Sequence, residues 1–372
     1  MFRPADPGPA EATRGPGLPI LALVVSAASI GIVLGAAAAT GTLGYDYSCC
    51  YDVAARRVLA GGPIYDLSFT QPGPAGLFDY PPPFLALVLP FAAVLSPPAA
   101  AAAWTAAMVV AFLAGIALMP VRREVRWLTL LLGSLSWPVV YSLKLGQVGG
   151  LLVLLFAVAW RGLASDRAVG AAAAIGSAIK LQPAVLFAWA VARARWGVVL
   201  VGAVVELAIV VPVTLVAGLG QWRDLVVLLR NLSDAMGIPG NLAPGAVAFQ
   251  LGVSFPVANA IQVATVATAL GLLGWTAFRG TAEASFLVAI VVSQLVAPVA
   301  WAHYAIVLVL PVAWFLERRA WAAALVPLVV AWPITSITPP IVYPALYAIV
   351  LLALVRAGLR RPEPARLVLA RA

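Results

Sequence analysis

Uninterrupted apolar segments constrain this sequence more than any other feature. Residues 18–40 and 99–119 contain no charged side chain, and a helix of about 20 apolar residues is long enough to cross a hydrocarbon core of about 30 Å. Charged residues make up only 10% of the chain, whereas a soluble domain carries roughly 25%. The sequence therefore predicts an all-α polytopic membrane protein and excludes a soluble globular domain.

The arginines predict which loops face the cytoplasm. A net charge of +9 would suggest a nucleic-acid partner in a soluble protein. Here, however, the arginines cluster in short segments between the apolar runs, as in the positive-inside pattern. We therefore expect membrane lipids and no nucleic acid as partners, with both termini in the cytoplasm. Only four arginines then lie outside: Arg56, Arg57, Arg223 and Arg230.

These rules predict one membrane domain, residues 18–357, between a cytoplasmic tail at 1–17 and a basic cytoplasmic tail at 358–372. Residues 18–40 exceed the 7–15 residues typical of a signal-peptide core, so we expect a retained first helix. Long outer loops follow at 41–80 and 220–245. Pro97-Pro98 should divide residues 82–119, leaving one part re-entrant or interfacial, and residues 168–192 should bend near Leu181-Gln182-Pro183. We expect about 10–13 transmembrane or re-entrant helices.

Ionisable residues at membrane depth are costly and are therefore candidates for function. The only two lysines are Lys144, at the outer end of a hairpin, and Lys180, at the bend of the broken one. The alternatives are that Lys144 snorkels to the interface and that Lys180 only marks a helix break. His303, the sole histidine, lies at an outer helix junction and could be a packing residue. Glu206 lies mid-helix without an evident partner, so we assign it no role.

The first outer loop contains the densest set of candidate residues. Asp46 directly follows the first helix, where partial desolvation would raise its pKa toward that of a useful base. We expect Asp52, Asp66 and Asp79 to cap helices or to pair with Arg56 and Arg57. A carboxylate, cations and amides on the outer side suit chemistry at an anionic lipid head group. The converging residues are Asp46, Lys144, Gln147, Lys180, Asn231 (also a possible glycosylation acceptor) and His303.

Several short motifs together resemble a known family. They are Tyr45-Asp46, Gly61-Gly-Pro-Ile-Tyr-Asp66, Tyr80-Pro-Pro82, Gly146-Gln147, Ala178-Ile-Lys-Leu-Gln-Pro183 and Pro298-Val-Ala-Trp-Ala-His-Tyr304. Their order and spacing over residues 40–310 resemble glycosyltransferase family 87, the polyprenol-phosphate-mannose-dependent mannosyltransferases of the GT-C superfamily. The sequence departs from the family pattern at Ala302, where an acidic residue is frequent, and at Gln182, where an aromatic residue is common.

The resemblance implies a GT-C-like bundle with a catalytic first outer loop and an active site on the extracytoplasmic face of the cell membrane. It implies an inverting transferase that moves a sugar, expected to be mannose, from a polyprenyl-phosphate donor to a glycolipid or glycan acceptor. Asp46 would be the catalytic base, and Lys180, His303 and Lys144 would bind the donor phosphate. The remaining substrate-binding residues would be Tyr45, Tyr80, Gln147, Gln182, Asn231 and Tyr304.

Two other classes of function stay open at the level of sequence. A transporter or flippase of lipid-linked sugars would also use a broken hairpin, although paired midplane charges and internal repeats are not evident. A non-catalytic assembly subunit would make Asp46 dispensable. We expect no cofactor and no metal site, because His303 is the only histidine and no close acidic pair accompanies it.

Overall fold

A computed structural model describes residues 17–68, 76–231, 235–332 and 339–359. Most of both predicted tails, part of the first outer loop and the Asn231 side chain lie outside the described residues. The described part contains helices and no β-strand. Its α-helices are α1 (Gly17–Ala39), α2 (Asp52–Leu59), α3 (Pro82–Val94), α4 (Pro97–Leu118), α5 (Arg123–Leu135), α6 (Trp137–Leu145), α7 (Gly149–Arg161), α8 (Asp166–Ile179), α9 (Val185–Ala192), α10 (Trp196–Ala217), α11 (Gly220–Asn231), α12 (Pro244–Gln250), α13 (Phe255–Arg279), α14 (Ala282–Leu295), α15 (Val309–Glu317), α16 (Trp321–Leu325) and α17 (Val342–Leu359).

Five of the described helices are long and apolar enough to cross a membrane: α1, α4, α10, α13 and α17. A sixth span results if α6 and α7, which are bent by 118° at their junction, count as one. Apolar side chains on the outward-facing side of α10 are not covered by other parts of the protein, and Leu215 is 81% exposed, as expected where lipid is the solvent. The predicted all-α polytopic membrane fold is confirmed. The shorter apolar helices, such as α3 and α14, leave the number of crossings a prediction.

Prolines set the main helix boundaries. Pro97 begins α4 after α3 ends at Val94, so the predicted division at Pro97-Pro98 is confirmed. The predicted break of residues 168–192 is also present. Here α8 ends at Ile179, Lys180 is extended, and a 3₁₀ turn over Gln182–Ala184 leads into α9. Lys180 therefore lies on non-helical backbone between two short helices.

Other predicted boundaries differ from the structure. The apolar pattern predicts one crossing over residues 127–142. In the structure this segment is interrupted where Ser136 is extended, because Pro138 starts a new helix in its first turn. The apolar pattern also predicts one crossing over residues 320–333. Within its described part, 320–332, the helical elements are the five-residue α16 and a 3₁₀ turn over Val326–Val330, which contains Pro327. The predicted outer loop at 220–245 contains α11 and a 3₁₀ turn over Ala235–Gly237. In the first two cases the apolar pattern located the segment and missed its internal break, and in the third it missed the helix within the loop.

Packing of α8 against α10, and of α4 against α7, forms much of the interior. The first of these contacts supplies a partner for Glu206, which was not evident from the sequence. The Ser177 hydroxyl on α8 donates a hydrogen bond to the Glu206 carboxylate on α10 at 3.0 Å. A polar group facing lipid would be costly, and this helix pair satisfies it internally. Glu206 is thus part of a helix–helix contact.

The arginine pattern generates a topology prediction that uses exposed positions at the two faces. Gly237→Cys should react with a membrane-impermeant maleimide in intact cells, because the second outer loop is predicted to lie outside. Arg161→Cys, at the end of α7, should react only after permeabilisation. The unmodified chain, with Cys49 and Cys50, gives the background. Labelling of Arg161→Cys in intact cells would refute this orientation.

Candidate active site

Two loop backbones meet at the centre of the site. Gly44 N–H donates to the Lys144 carbonyl at 2.8 Å, and both Gly44 and Gly146 have left-handed φ angles of 65° and 70°. A Cβ atom on Gly146 would lie 3.2 Å from the Gly44 Cα, so a larger residue would be both strained and crowded. The indole of Trp104 caps this crossing by donating to the Gly146 carbonyl at 2.7 Å. The crossing brings Asp46 next to Gln147.

A π-turn over Tyr47–Tyr51 carries the first outer loop from this crossing into α2. The wider turn of a π-helix is frequent at functional sites. It places Asp46 and the residues four and five positions later, Cys50 and Tyr51, along one cavity. Tyr47 anchors the turn by stacking on Trp104 with ring centroids 5.5 Å apart. The local geometry thus directs Asp46 and Tyr51 to the same space.

Gln147 connects Asp46 to two buried tyrosines. Its side-chain amide nitrogen donates to the Asp46 carboxylate, while its amide oxygen accepts from the Tyr80 hydroxyl at 2.9 Å and from the Tyr51 hydroxyl at 3.1 Å. The two hydroxyls are 2.8 Å apart. Since the oxygen of the amide is taken by the tyrosines, its nitrogen must face Asp46. Gln147 therefore positions the carboxylate, and one carboxylate oxygen is left for a ligand.

The surroundings of Asp46 change its acidity. Burial raises the pKa of the Asp46 carboxyl above its ordinary value, while the hydrogen bond from Gln147 and the positive charge of Lys180 oppose that rise. A carboxylate with a raised pKa is a better proton acceptor than an exposed one. Asp46 lies in the loop after α1, as predicted, and combines access with partial desolvation.

Asp46 faces a cavity of about 220 Å³ that is mainly aromatic at its walls. His303 also lines this cavity, from a 3₁₀ helix over Ala302–Leu308 that packs against α6. Both ring nitrogens of His303 are buried and have no hydrogen-bond partner among the described residues. Buried polar atoms are nearly always paired, so this imidazole is available to a ligand. The other lining residues are Tyr45, Cys50, Tyr51, Gly76, Leu77, Asp79, Tyr80, Tyr141, Leu145, Gln147, Trp301 and Tyr304.

A second cavity of about 380 Å³ adjoins the first, and the two share Asp79, Tyr80 and Tyr304. Lys180 lies at this junction, with its ammonium 3.7 Å from the ring centroid of Tyr304 and 5.5 Å from that of Tyr80. Aromatic faces stabilise a desolvated cation. Beyond Lys180 and Gln182 the walls are mostly apolar, formed by Pro81, Leu181, Ala184, Val185, Leu229, Ala235, Val296, Ala297, Pro298 and Val299.

Asp79 corrects one expectation. Asp52 pairs with Arg56 at 2.7 Å and Asp66 with Arg57 at 3.8 Å, as predicted. Asp79, which was expected to cap a helix or to join these arginines, instead lies in the wall shared by the two cavities. Burial raises the pKa of Asp79 to about 6, against the opposing effect of the Lys180 charge. Because Arg56 and Arg57 pair with Asp52 and Asp66, neither arginine forms an ion pair with Asp79.

The structure brings together most of the predicted site residues. Tyr45, Asp46, Tyr80, Gln147, Lys180, Gln182, His303 and Tyr304 line the two cavities. Lys144 is half-buried on α6 and does not belong to either lining, so its binding of phosphate stays a prediction, as does the role of Asn231.

Sequence reasoning missed Asp79, Tyr51, Tyr141 and Trp301 as lining residues. Trp301 lies within a motif that pointed to the site and Asp79 lies beside one, whereas Tyr51 and Tyr141 lie a few residues away from the nearest motif. Their neighbours in those motifs were chosen because they were charged or matched the family. Aromatic lining residues give no such signal, since an aromatic side chain is equally typical of a core.

Comparison with protein families identifies the family of this chain. The model of glycosyltransferase family 87 matches residues 78–301, which is more than half of the chain. The chain belongs to glycosyltransferase family 87. It is therefore a glycosyltransferase of the membrane, and membership supports this class over a transporter or an assembly subunit. The match includes Asp79, Gln147 and Lys180, begins after Asp46 and ends before His303. No curated protein and no solved structure matches the chain.

The contact between Gln147 and Asp46 generates a pH prediction. A base must be deprotonated, so turnover should fall as pH drops through the raised pKa of Asp46. Gln147→Met removes the hydrogen bond that holds this pKa down, so the acid midpoint of kcat should move to higher pH and the maximal rate should fall. Gln182→Met makes the same chemical change away from Asp46 and should leave the midpoint in place. An unchanged or lower midpoint in Gln147→Met would contradict the positioning role.

Proposed function

We propose that this family 87 glycosyltransferase is an inverting enzyme that uses a polyprenyl-phosphate sugar as donor. The expected sugar is mannose, and the expected acceptor is a hydroxyl of a glycolipid or glycan on the outer face of the membrane. The family implies the sugar transfer and the resemblance implies the polyprenyl-phosphate donor, and the shape and charge of the two cavities support that donor class. The observation that carries the proposal is their junction at Lys180, Tyr80 and Tyr304.

The two cavities fit the two ends of an amphipathic donor. A polyprenyl-phosphate sugar has a polar sugar, one phosphodiester and a long apolar chain. The cavity containing Asp46 is polar enough for the sugar and the acceptor hydroxyl. The neighbouring cavity has mostly apolar walls, which suit the first isoprenoid units. Lys180 lies between them, where the single negative charge of the donor would be.

The reaction requires one base at the acceptor side. Asp46 accepts the proton of the acceptor hydroxyl, whose oxygen attacks the anomeric carbon while the bond from that carbon to the phosphate oxygen breaks. Attack from the face opposite the leaving group inverts the configuration. Polyprenyl phosphate leaves as a stabilised anion, so protonation of the leaving group is unnecessary. A single carboxylate therefore suffices, in contrast to the acid–base pair of glycoside hydrolases.

The leaving phosphate requires positive charge and hydrogen-bond donors. Lys180 supplies an ammonium held over Tyr304. His303 supplies an imidazole whose ring nitrogens have no hydrogen-bond partner among the described residues. Such groups stabilise the charge that develops as the bond breaks, and they act strongly in a site that excludes water. Access from outside fits a lipid-linked donor, since nucleotide sugars are cytoplasmic.

Replacement of Asp46 is the decisive test of the proposed base. Asp46→Asn keeps the size of the side chain and cannot take a proton, so single-turnover product formation should fall by about 10²–10⁴-fold. Donor binding should persist, because asparagine removes a negative charge near the phosphate. Product is measured by mass spectrometry with polyprenyl-phosphate mannose and a panel of acceptors, and donor binding is measured separately.

Asp52→Asn is the matched control for this test. Asp52 is buried in a pair with Arg56 and does not line either cavity. The Asp52→Asn variant should therefore form product near the wild-type rate once the rate is corrected for the amount of folded enzyme. Loss of product in Asp52→Asn together with normal turnover in Asp46→Asn would move the base to Asp52. Normal turnover in both variants would refute the mechanism.

The phosphate site generates a further prediction. Lys180→Met and His303→Ala should each weaken kcat/KM for the donor by ~1.5–3 kcal/mol, the range for a lost hydrogen bond to a charged group. Lys144→Met removes the other lysine, whose side chain lies outside both cavities, and should have a smaller effect. If kcat and donor KM are unchanged in Lys180→Met, this lysine only marks the break between α8 and α9.

A further inference from the structure

Asp79 is an acidic residue of the site for which the mechanism above has no use. It lies inside the protein, yet it is not fully covered, because its side chain lines both cavities. Asp79 directly precedes Tyr80 in the sequence. The Tyr80 hydroxyl is hydrogen-bonded to Tyr51 and Gln147, and the Tyr80 carbonyl accepts a hydrogen bond from the Tyr65 hydroxyl at 2.7 Å. Asp79 is thus held at the cavity junction by a neighbour that cannot move freely.

The Asp79 carboxylate lacks the partners that a buried charge normally has. Within the described part of the chain, no ion pair within 4.0 Å and no hydrogen bond from another side chain reaches it. Lys180 acts on it only as a charge at longer range. Arg56 and Arg57 are occupied by Asp52 and Asp66. Among the described residues, only its own backbone N–H and the distant charge of Lys180 act on this carboxylate to stabilise its charged form. A partly buried charge with so few partners is costly, so we take a substrate group to be its missing partner.

The chemistry of the junction restricts what that ligand group can be. A phosphate oxygen would repel a carboxylate, so the donor phosphate belongs on the Lys180 side. Asp79 requires hydrogen-bond donors, and the hydroxyl groups of a sugar are the donors that a lipid-linked substrate brings to this position. The rings of Tyr80 and Tyr304, which share the wall with Asp79, offer apolar surface to the C–H groups of the same sugar ring.

We propose that Asp79 binds hydroxyl groups of the donor sugar and thereby selects which sugar is transferred. This inference rests on the proposed function, since it requires a sugar donor whose phosphate lies at Lys180. Asp46 then accepts the proton of the acceptor hydroxyl and Asp79 binds the donor sugar, and both carboxylates line the same cavity. A site built to bind a substrate hydroxyl discriminates strongly against an analogue that lacks it, because the buried carboxylate is left unpaired.

The test combines deletion of the carboxylate with deletion of single hydroxyls. Polyprenyl-phosphate mannose and its 2-, 3-, 4- and 6-deoxy forms are assayed with wild type, Asp79→Ala and Lys180→Met, and kcat/KM is compared within each enzyme. In wild type at least one deoxy donor should be used about 10- to 150-fold less well than the parent donor. In Asp79→Ala that penalty should vanish, while Lys180→Met should keep it.

Each comparison is a ratio within one enzyme, so it does not depend on how much of a variant folds. Equal penalties in wild type and Asp79→Ala would overturn the inference and reduce Asp79 to a counter-charge for Lys180. Wild type that discriminates against none of the deoxy donors would overturn it as well. Failure of wild type to form product from polyprenyl-phosphate mannose and from polyprenyl-phosphate glucose would instead overturn the proposed function.

Discussion

The close approach of the Gly44 and Gly146 backbones is the contact on which the site depends. Asp46 follows one glycine by two residues and Gln147 directly follows the other, so the crossing determines how far apart their side chains can be. The hydrogen bond from Gly44 to the Lys144 carbonyl and the indole of Trp104 hold the crossing in place. Because both glycines have positive φ, another residue at either position would strain the backbone. It would also move the Asp46 carboxylate away from the side-chain amide of Gln147.

The sequence predicted the frame of the molecule well, for reasons that follow from lipid as the solvent. Long apolar runs must be helices where no water can pair with the backbone, and α1 and α4 begin or end within a few residues of the predicted positions. The same argument fails for short segments. Ser136 and Pro327 interrupt apolar stretches whose composition alone is compatible with a continuous helix.

The candidate site was predictable where an ionisable residue stands in an apolar context, as at Lys180 and His303. Asp79 was not predictable, because it shares a polar loop with two arginines and three other acids, and sequence cannot say which acids the arginines take. Only the fold shows that Asp52 lies one helical turn from Arg56 and that Arg57 reaches Asp66. The contact between Gln147 and Asp46 was not predictable either, since an amide side chain can bind substrate or position another residue. Here the hydroxyls of Tyr51 and Tyr80 bind the amide oxygen of Gln147, so that its amide nitrogen faces Asp46.

The irregular backbone of the protein gathers around the cavities. The π-turn before α2, the extended Lys180, the left-handed Gly146 and the 3₁₀ helix that carries His303 all contribute to or adjoin the linings. In a membrane protein, non-helical backbone is tolerated at depth only where it is covered by protein or lines a cavity. The breaks in the helices therefore coincide with the two cavities, where the substrates are proposed to bind, and the long helices provide the surface that faces lipid. Lys180 is the one cation that lines the two cavities in the described part of the chain. Under the proposed function it compensates one negative charge, which favours a donor with a single phosphodiester, since a second negative charge would find no further cation there.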